Sequence, residues 1–130
     1  SPKINDGASI MALTYYGSTR YMQSYNVMGV AKAALETSIK YLSVDMGDRG
    51  IRVNAISAGP MRTLAGAVIN KSRKIYNYTI ENSPIKKPLS LEDIGKSSVY
   101  LMSDLSKGVT GEILYVDNGY NNVGMSIEDL

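Results

Sequence analysis

Two short apolar runs flank a long stretch of helical period, and that order constrains the fold of this 130-residue chain more than any other feature. The first run, Ala8-Ser9-Ile10-Met11-Ala12-Leu13-Thr14, is almost continuously apolar, follows the turn-forming Pro2, Asn5, Asp6 and Gly7, and ends near Gly17. A short unbroken run of this kind reads as a strand covered on both faces. From about Tyr25 the residues Met28, Ala31, Leu35, Ile39, Leu42 and Met46 recur at spacings of three and four, and Gly47 supplies a stop. The pattern predicts a helix of about six turns. Its apolar stripe reads as core or subunit interface, with Ala31, Ala33, Ala34 and Ser38 keeping parts of it thin enough for close packing. The second run, Ile51-Arg52-Val53-Asn54-Ala55-Ile56-Ser57, is β-branched and is broken by Ala58-Gly59-Pro60. Strand, helix and strand form a βαβ unit with a right-handed crossover, and ligands of such sheets collect beyond the C-terminal strand ends. Tyr15 and the segment Gly59 to Thr63 both fall there.

The remainder continues in kind. Thr63 to about Tyr78 is helical in pattern, with Lys71, Arg73 and Lys74 close together. After Pro84 and Pro88, Ser90-Leu91-Glu92-Asp93 reads as a capping box opening a helix that runs to roughly Ser103. Gly108 and Gly111 precede a last strand, Glu112 to Val116, and Asp117-Asn118-Gly119 turns away from it. Three strands and three helical segments make an α/β half-sheet with no internal repeat. No G-x-G-x-x-G turn follows an early strand, so the pyrophosphate cradle of a dinucleotide site is not among these residues.

Composition narrows the chemistry. With no Cys there is neither a disulfide framework nor a thiol nucleophile, and with no His the usual neutral-pH acid/base group is absent. Proton chemistry therefore falls to Tyr, Lys or carboxylates, and the scattered acidic residues predict no protein-bound metal. A net charge of +2, and ten Tyr without Phe or Trp, carry no nucleic-acid-binding signature. No apolar run approaches a membrane span and no basic-then-apolar leader opens the chain, so nothing argues for secretion and no membrane contact is expected.

Within the segment Tyr15 to Lys32, Tyr25 and Lys32 stand seven residues apart. If the helix has begun by Tyr25, the two are separated by about 700° of rotation, roughly 20° short of two full turns, and share a face. A phenol can donate to an oxygen gaining negative charge, and a nearby cation favours that charge while lowering the phenol pKa. The ammonium has three donors, enough to hold sugar hydroxyls as well. The plain alternative, a half-buried Tyr beside a snorkelling Lys, is the commoner meaning of a bare Y-x6-K.

Longer motifs go further. Ser24-Tyr25-Asn26-Val27-Met28-Gly29-Val30-Ala31-Lys32-Ala33, then Arg52-Val53-Asn54-Ala55-Ile56-Ser57-Ala58-Gly59-Pro60-Met61-Arg62-Thr63, and finally Gly111-Glu112 with Val116-Asp117-Asn118-Gly119, closely resemble bacterial enoyl-acyl-carrier-protein reductase. That family belongs to the short-chain dehydrogenase/reductase superfamily, whose usual signature is Y-x3-K. Here the position four before Lys32 is Met28, and the Y-x6-K spacing separates enoyl reductases from ketoacyl reductases.

The resemblance implies part of a doubly wound Rossmann parallel sheet, the C-terminal βαβ half. NADH, or less often NADPH, would deliver hydride to the β-carbon of a trans-2-enoyl thioester on acyl carrier protein, in fatty-acid elongation. Tyr25 would hydrogen-bond the thioester oxygen as an enolate forms. Lys32 would hold the nicotinamide ribose, and Tyr15 matches a second active-site tyrosine. Met61, Thr63, Leu64 and Ala65 match the segment bordering the nicotinamide and pyrophosphate, while Met28, Ala65 and Ile69 would line the acyl pocket with the two tyrosines. The helix from Thr63 would be a mobile lid. Its Arg73 and Lys74 match positions that meet the acidic carrier protein, and Ser72 stands where the family often has an aromatic. A cytoplasmic homotetramer is implied too. Members are about twice this length, as two βαβαβ halves require, so the chain alone is expected to be inactive. The alternative is a non-catalytic fragment or interaction module of the same fold.

Overall fold

The structure is a computed structural model and describes residues 3–63 and 71–125. In chain order it contains β1 (Ser9–Thr14), α1 (Val27–Asp45), β2 (Arg52–Ala58), α2 (Ser72–Asn82), α3 (Leu91–Met102) and β3 (Ile113–Val116). Single 3-10 turns lie at Tyr16–Ser18, Gly47–Arg49, Asp104–Ser106 and Tyr120–Asn122.

The strands form one parallel sheet in the order β1-β2-β3, with Ser9 opposite Arg52, Thr14 opposite Ser57, and Ala55 to Ala58 opposite Ile113 to Val116. β2 is central, and its residues Val53 to Ser57 are all buried. Alternation along the strand divides them between two faces. Val53 and Ala55 pack with Ile39 of α1 and with Ile51, while Ile56 packs with Ile94 and Leu101 of α3. A helix thus covers each face, the α/β layering the sequence predicts. Asn54 is fully buried, yet both ends of its amide are used: Nδ2 donates to the Val109 carbonyl (2.9 Å) and Oδ1 accepts from the Glu112 N–H (3.0 Å). The Arg52 guanidinium similarly donates to Ser106 Oγ at 2.9 Å and to the Ser103 carbonyl at 3.0 Å, stitching the link between α3 and β3 to the start of β2.

Several expectations shift at element ends. α1 begins at Val27 rather than Tyr25, because Ser24 (φ 66°) and Asn26 (φ 49°) are left-handed and a right-handed helix admits neither. Tyr25 therefore precedes the helix, and it does not share a helical face with Lys32. The apolar stripe is only partly core: Ile39 and Ser43 are buried on α1, whereas Met28 and Leu42 are exposed. β1 is less covered than a strand buried on both faces, since β2 is its only partner among the described residues. Met61 to Thr63 lie outside any helix, and α2 starts at Ser72, after Lys71 at φ 62°, and continues past Tyr78 to Asn82. Leu64, Ala65 and Ile69 lie outside the described residues. At α3 the predicted capping box forms in full: the Asp93 N–H donates to Ser90 Oγ (3.1 Å) and the Ser90 N–H to Asp93 Oδ2 (3.0 Å).

Candidate active site

The chain leaves β1 at Thr14, makes the Tyr16–Ser18 turn and returns past Tyr25 into α1. Two glycines let this loop nest. A Cβ on Gly17 would sit 2.6 Å from Tyr25 Cδ1, and one on Gly29 would sit 2.9 Å from the Gly17 carbonyl oxygen. The Tyr25 ring therefore lies directly on the Gly17 backbone, and Tyr25 is only 7% exposed. Tyr15 meets it edge to face, with ring centroids 5.1 Å apart at 73°. Tyr16 packs on the other side of Tyr15 at 5.2 Å and on Tyr120 at 5.4 Å, and its hydroxyl donates to Met22 Sδ at 2.9 Å. Four tyrosines thus run in contact from the end of β1 to the turn after β3. Asp117, buried at that turn, accepts from the Gly119 and Asn121 N–H groups and holds Tyr120 in place.

Beyond the C-terminal ends of β1 and β2 lies a cavity of about 190 Å³. Tyr15 and Tyr25 form one side, Gly59 to Met61 and Thr63 the floor after β2, and Ser72, Ile75 and Tyr76 of α2 the far side. Tyr15, Tyr25, Met61 and Thr63, all predicted from sequence, are brought together here. Met28 is not on this wall and is 47% exposed on the outer face of α1. Met22, Ile75 and Tyr76 were not predicted. The last two stand three and four residues beyond Ser72, so the helical period would have pointed to them once Ser72 was placed. The Arg62 guanidinium lies over the Tyr76 ring, 5.2 Å from its centroid, tying the exit of β2 to α2.

Lys32 Nζ donates to the Leu13 carbonyl at 2.9 Å, which fixes the ammonium at the C-terminal end of β1. One of its three donors is used there. Burial raises the Tyr25 phenol above its ordinary value of 10.0, the reverse of the lowering expected from a neighbouring cation. Burial also raises Tyr15, and the fields of Tyr120, Tyr25 and Asp117 add to it. Both phenols therefore keep their protons throughout the neutral range and can only be hydrogen-bond donors or acceptors, not bases. The arrangement suits an acceptor oxygen that gains negative charge inside an apolar cavity.

Residues 1–121 match the family model described as enoyl-(acyl carrier protein) reductase. The chain belongs to that family. Among curated relatives, enoyl-[acyl-carrier-protein] reductase [NADH] 1 of Rhizobium meliloti is 58% identical over 126 residues, covering 97% of this chain and 46% of that protein. The FabI protein of Rickettsia typhi is 54% identical over 123 residues, covering 95% and 47%. Among solved structures, FabI of Candidatus Liberibacter asiaticus superposes with a TM-score of 0.87 at 59% identity, over 90% of this chain and 45% of that one. The Anaplasma phagocytophilum reductase, solved in complex with NAD, superposes with a TM-score of 0.85 at 53% identity, again over 90% and 45%. The chain spans about half the length of the curated relatives it matches. Its sheet is accordingly part of the Rossmann sheet of this enoyl reductase family.

Proposed function

We propose that these residues form the substrate-facing, C-terminal part of one Rossmann-fold reductase domain, which reduces a trans-2-enoyl thioester on acyl carrier protein with NADH during fatty-acid elongation. The observation that carries this reading is the buried, protonated Tyr25 phenol packed on Tyr15 at an apolar cavity beyond the strand ends. The names of the Rhizobium and Rickettsia relatives support the substrate class and the choice of NADH.

The site fits a nicotinamide nucleotide in its donor set. Lys32 has two donors left beyond its bond to Leu13, suited to a pair of ribose hydroxyls; it does not itself line the cavity, whereas Met61 and Thr63 do. Leu64 and Ala65 would continue that border, and Ala65, Ile69 and Met28 are assigned to the acyl chain on the family resemblance. A reduced nicotinamide held there by Lys32 and the Met61 to Thr63 segment would supply hydride to the substrate β-carbon. Tyr25 donates a hydrogen bond to the thioester oxygen, and that bond strengthens as the oxygen becomes an enolate. Lys32 adds a fixed positive charge at the same strand end. Tyr15 restricts where the thioester lies and excludes water from the Tyr25 hydroxyl.

The exposed apolar side chains of α1, Val27, Val30, Tyr41 and Val44, support a homotetramer in which such faces are covered. Arg73 and Lys74, both exposed on α2, suit an acidic carrier protein, where rim charges act mainly on association rate. The family resemblance implies a cytoplasmic reductase; among the described residues no helix is long and apolar enough to cross a membrane.

The test is Tyr25→Phe in the full-length protein. Removing one oxyanion donor is expected to lower kcat for an enoyl thioester by roughly 10²-fold, with NADH binding retained. Unchanged turnover would remove the assigned role. Preferential turnover of a ketoacyl thioester by the unaltered protein would overturn the substrate class.

A further inference from the structure

Glu36 stands on α1 one turn beyond Lys32 and is not on the cavity wall. Its Oε1 accepts two hydroxyl hydrogen bonds, from Thr14 Oγ1 at 2.7 Å and from Ser18 Oγ at 2.6 Å. Thr14 is the last residue of β1, and Ser18 is the last residue of the turn that follows. Between them lie only Tyr15, Tyr16 and Gly17. A single carboxylate oxygen therefore holds both ends of the loop that carries Tyr15. Hydroxyl-to-carboxylate bonds of this length are charge-assisted and roughly twice as strong as neutral ones. Thr14 is 4% exposed, so little water is at hand to replace its partner. Lys32, one turn earlier on the same helix, holds the adjacent Leu13 carbonyl. Together the two side chains hold three backbone positions around the tyrosines: Lys32 holds Leu13, and Glu36 holds Thr14 and Ser18.

We infer that Glu36 is a positioning residue for the reaction: by clamping Thr14 and Ser18 it sets where the Tyr15 hydroxyl stands in the cavity. The inference rests on the reductase reading above and deepens it. Among the described residues no other side chain is hydrogen-bonded to both ends of this loop. The Tyr16 hydroxyl reaches Met22, within the same connection, and the ring contacts of Tyr15 and Tyr25 constrain separation rather than the direction of a hydroxyl. Carboxylate charge matters as well as shape, because a neutral amide of the same size accepts both hydroxyls more weakly.

The experiment compares Glu36→Gln, Tyr15→Phe and the double variant in the full-length protein, with an enoyl thioester and NADH. Glu36→Gln is expected to lower kcat roughly tenfold, the scale of a small misplacement of a reacting group, while KM for NADH stays within about twofold. In the Tyr15→Phe background the same change is expected to alter kcat less than about twofold, since the hydroxyl it positions is gone. An equal loss in both backgrounds, or a lowered unfolding temperature with kcat unchanged, would make Glu36 a structural cross-link and overturn the inference. If Glu36→Gln does not fold, Ser18→Ala removes one donor alone, and an unaltered kcat there overturns the inference equally. A crystal structure of Glu36→Gln separates this failure from that of the reductase reading. Should the unaltered protein reduce no enoyl thioester, the functional reading falls, and a Tyr15 ring still 5.1 Å from Tyr25 with its hydroxyl in place would sink the clamp as well.

Discussion

Tyr25 is flanked on both sides by residues in the left-handed region, Ser24 at φ 66° and Asn26 at φ 49° with ψ −130°. Side chains other than glycine avoid such angles, and strain of this kind, roughly 1–3 kcal/mol per residue, persists where the surroundings enforce it. Here it turns the chain sharply enough to bring Tyr25 off the helix axis and onto Gly17. Asn26 makes no capping bond with its side chain. Asn26→Gly is therefore expected to remove strain without losing a hydrogen bond, raising stability by up to about 1 kcal/mol after the entropy of glycine is counted. Asn26→Val is expected to lower it by about 1–2 kcal/mol, the cost of a β-branched side chain at that φ. Denaturant unfolding of the two variants checks both signs, and a Gly variant less stable than the Val variant would refute the strain argument.

Among the elements, α3 shows local sequence and structure in full agreement. Its capping box satisfies two backbone N–H groups, and Asp93 adds negative charge to the first turn. The Ser90 hydroxyl and N–H lower the Asp93 pKa, with smaller help from Lys87 and Lys96. A depressed folded pKa means that this contribution is present above the ordinary value of 3.8 and is lost as pH falls through the lower folded value. Ser90→Ala is expected to cost about 1 kcal/mol at neutral pH. The deficit relative to the unaltered protein should shrink below about pH 4, where Asp93 protonates in the unfolded chain and then in the folded one. Unfolding midpoints at pH 3 to 7 would show the two curves converging in acid (about the ordinary carboxylate range). Parallel curves would mean that Asp93 takes no part in the cap.

At the scale of the whole molecule, the cluster of Tyr15, Tyr16 and Tyr25 gives the alkaline side of the stability curve a definite sign. Burial is the first cause of the upward shift in all three, and Tyr16 is raised further by the neighbouring Tyr120. Their folded pKa values exceed the ordinary 10.0, so this stabilisation is complete below pH 10 and is lost as pH rises through the folded values. The unfolding midpoint is expected to be flat from neutral pH to about 10 and to fall beyond it, less steeply in Tyr16→Phe. An equally steep fall in that variant would take Tyr16 out of the effect.

Much of this was legible in the sequence because it is local. The apolar run Ile10 to Leu13, the period of α1, the β-branched Arg52 to Ser57 and the Ser90/Asp93 pair each encode an element through short-range physics, and their order alone requires a parallel α/β sheet. The motifs around Tyr25, Lys32 and Gly59 to Thr63 were likewise readable as lengths of chain. What the residue pattern does not carry is direction in space. Helical period placed Tyr25 and Lys32 on one face, but two left-handed residues take Tyr25 out of the helix, and its ring packs instead on Gly17 and Tyr15. The pKa of Tyr25 follows burial, which depends on what packs over it, and so the sign expected from Lys32 alone was reversed. Glu36 reads in sequence as one more acid on a helix, because nothing local links it to Thr14 and Ser18. Sequence by itself determined the elements, their order and the residue types available for the chemistry; the tertiary structure decided which of those residues meet, how dry they are and what holds them there, since contacts between distant positions depend on the packing of whole elements and not on the neighbours along the chain.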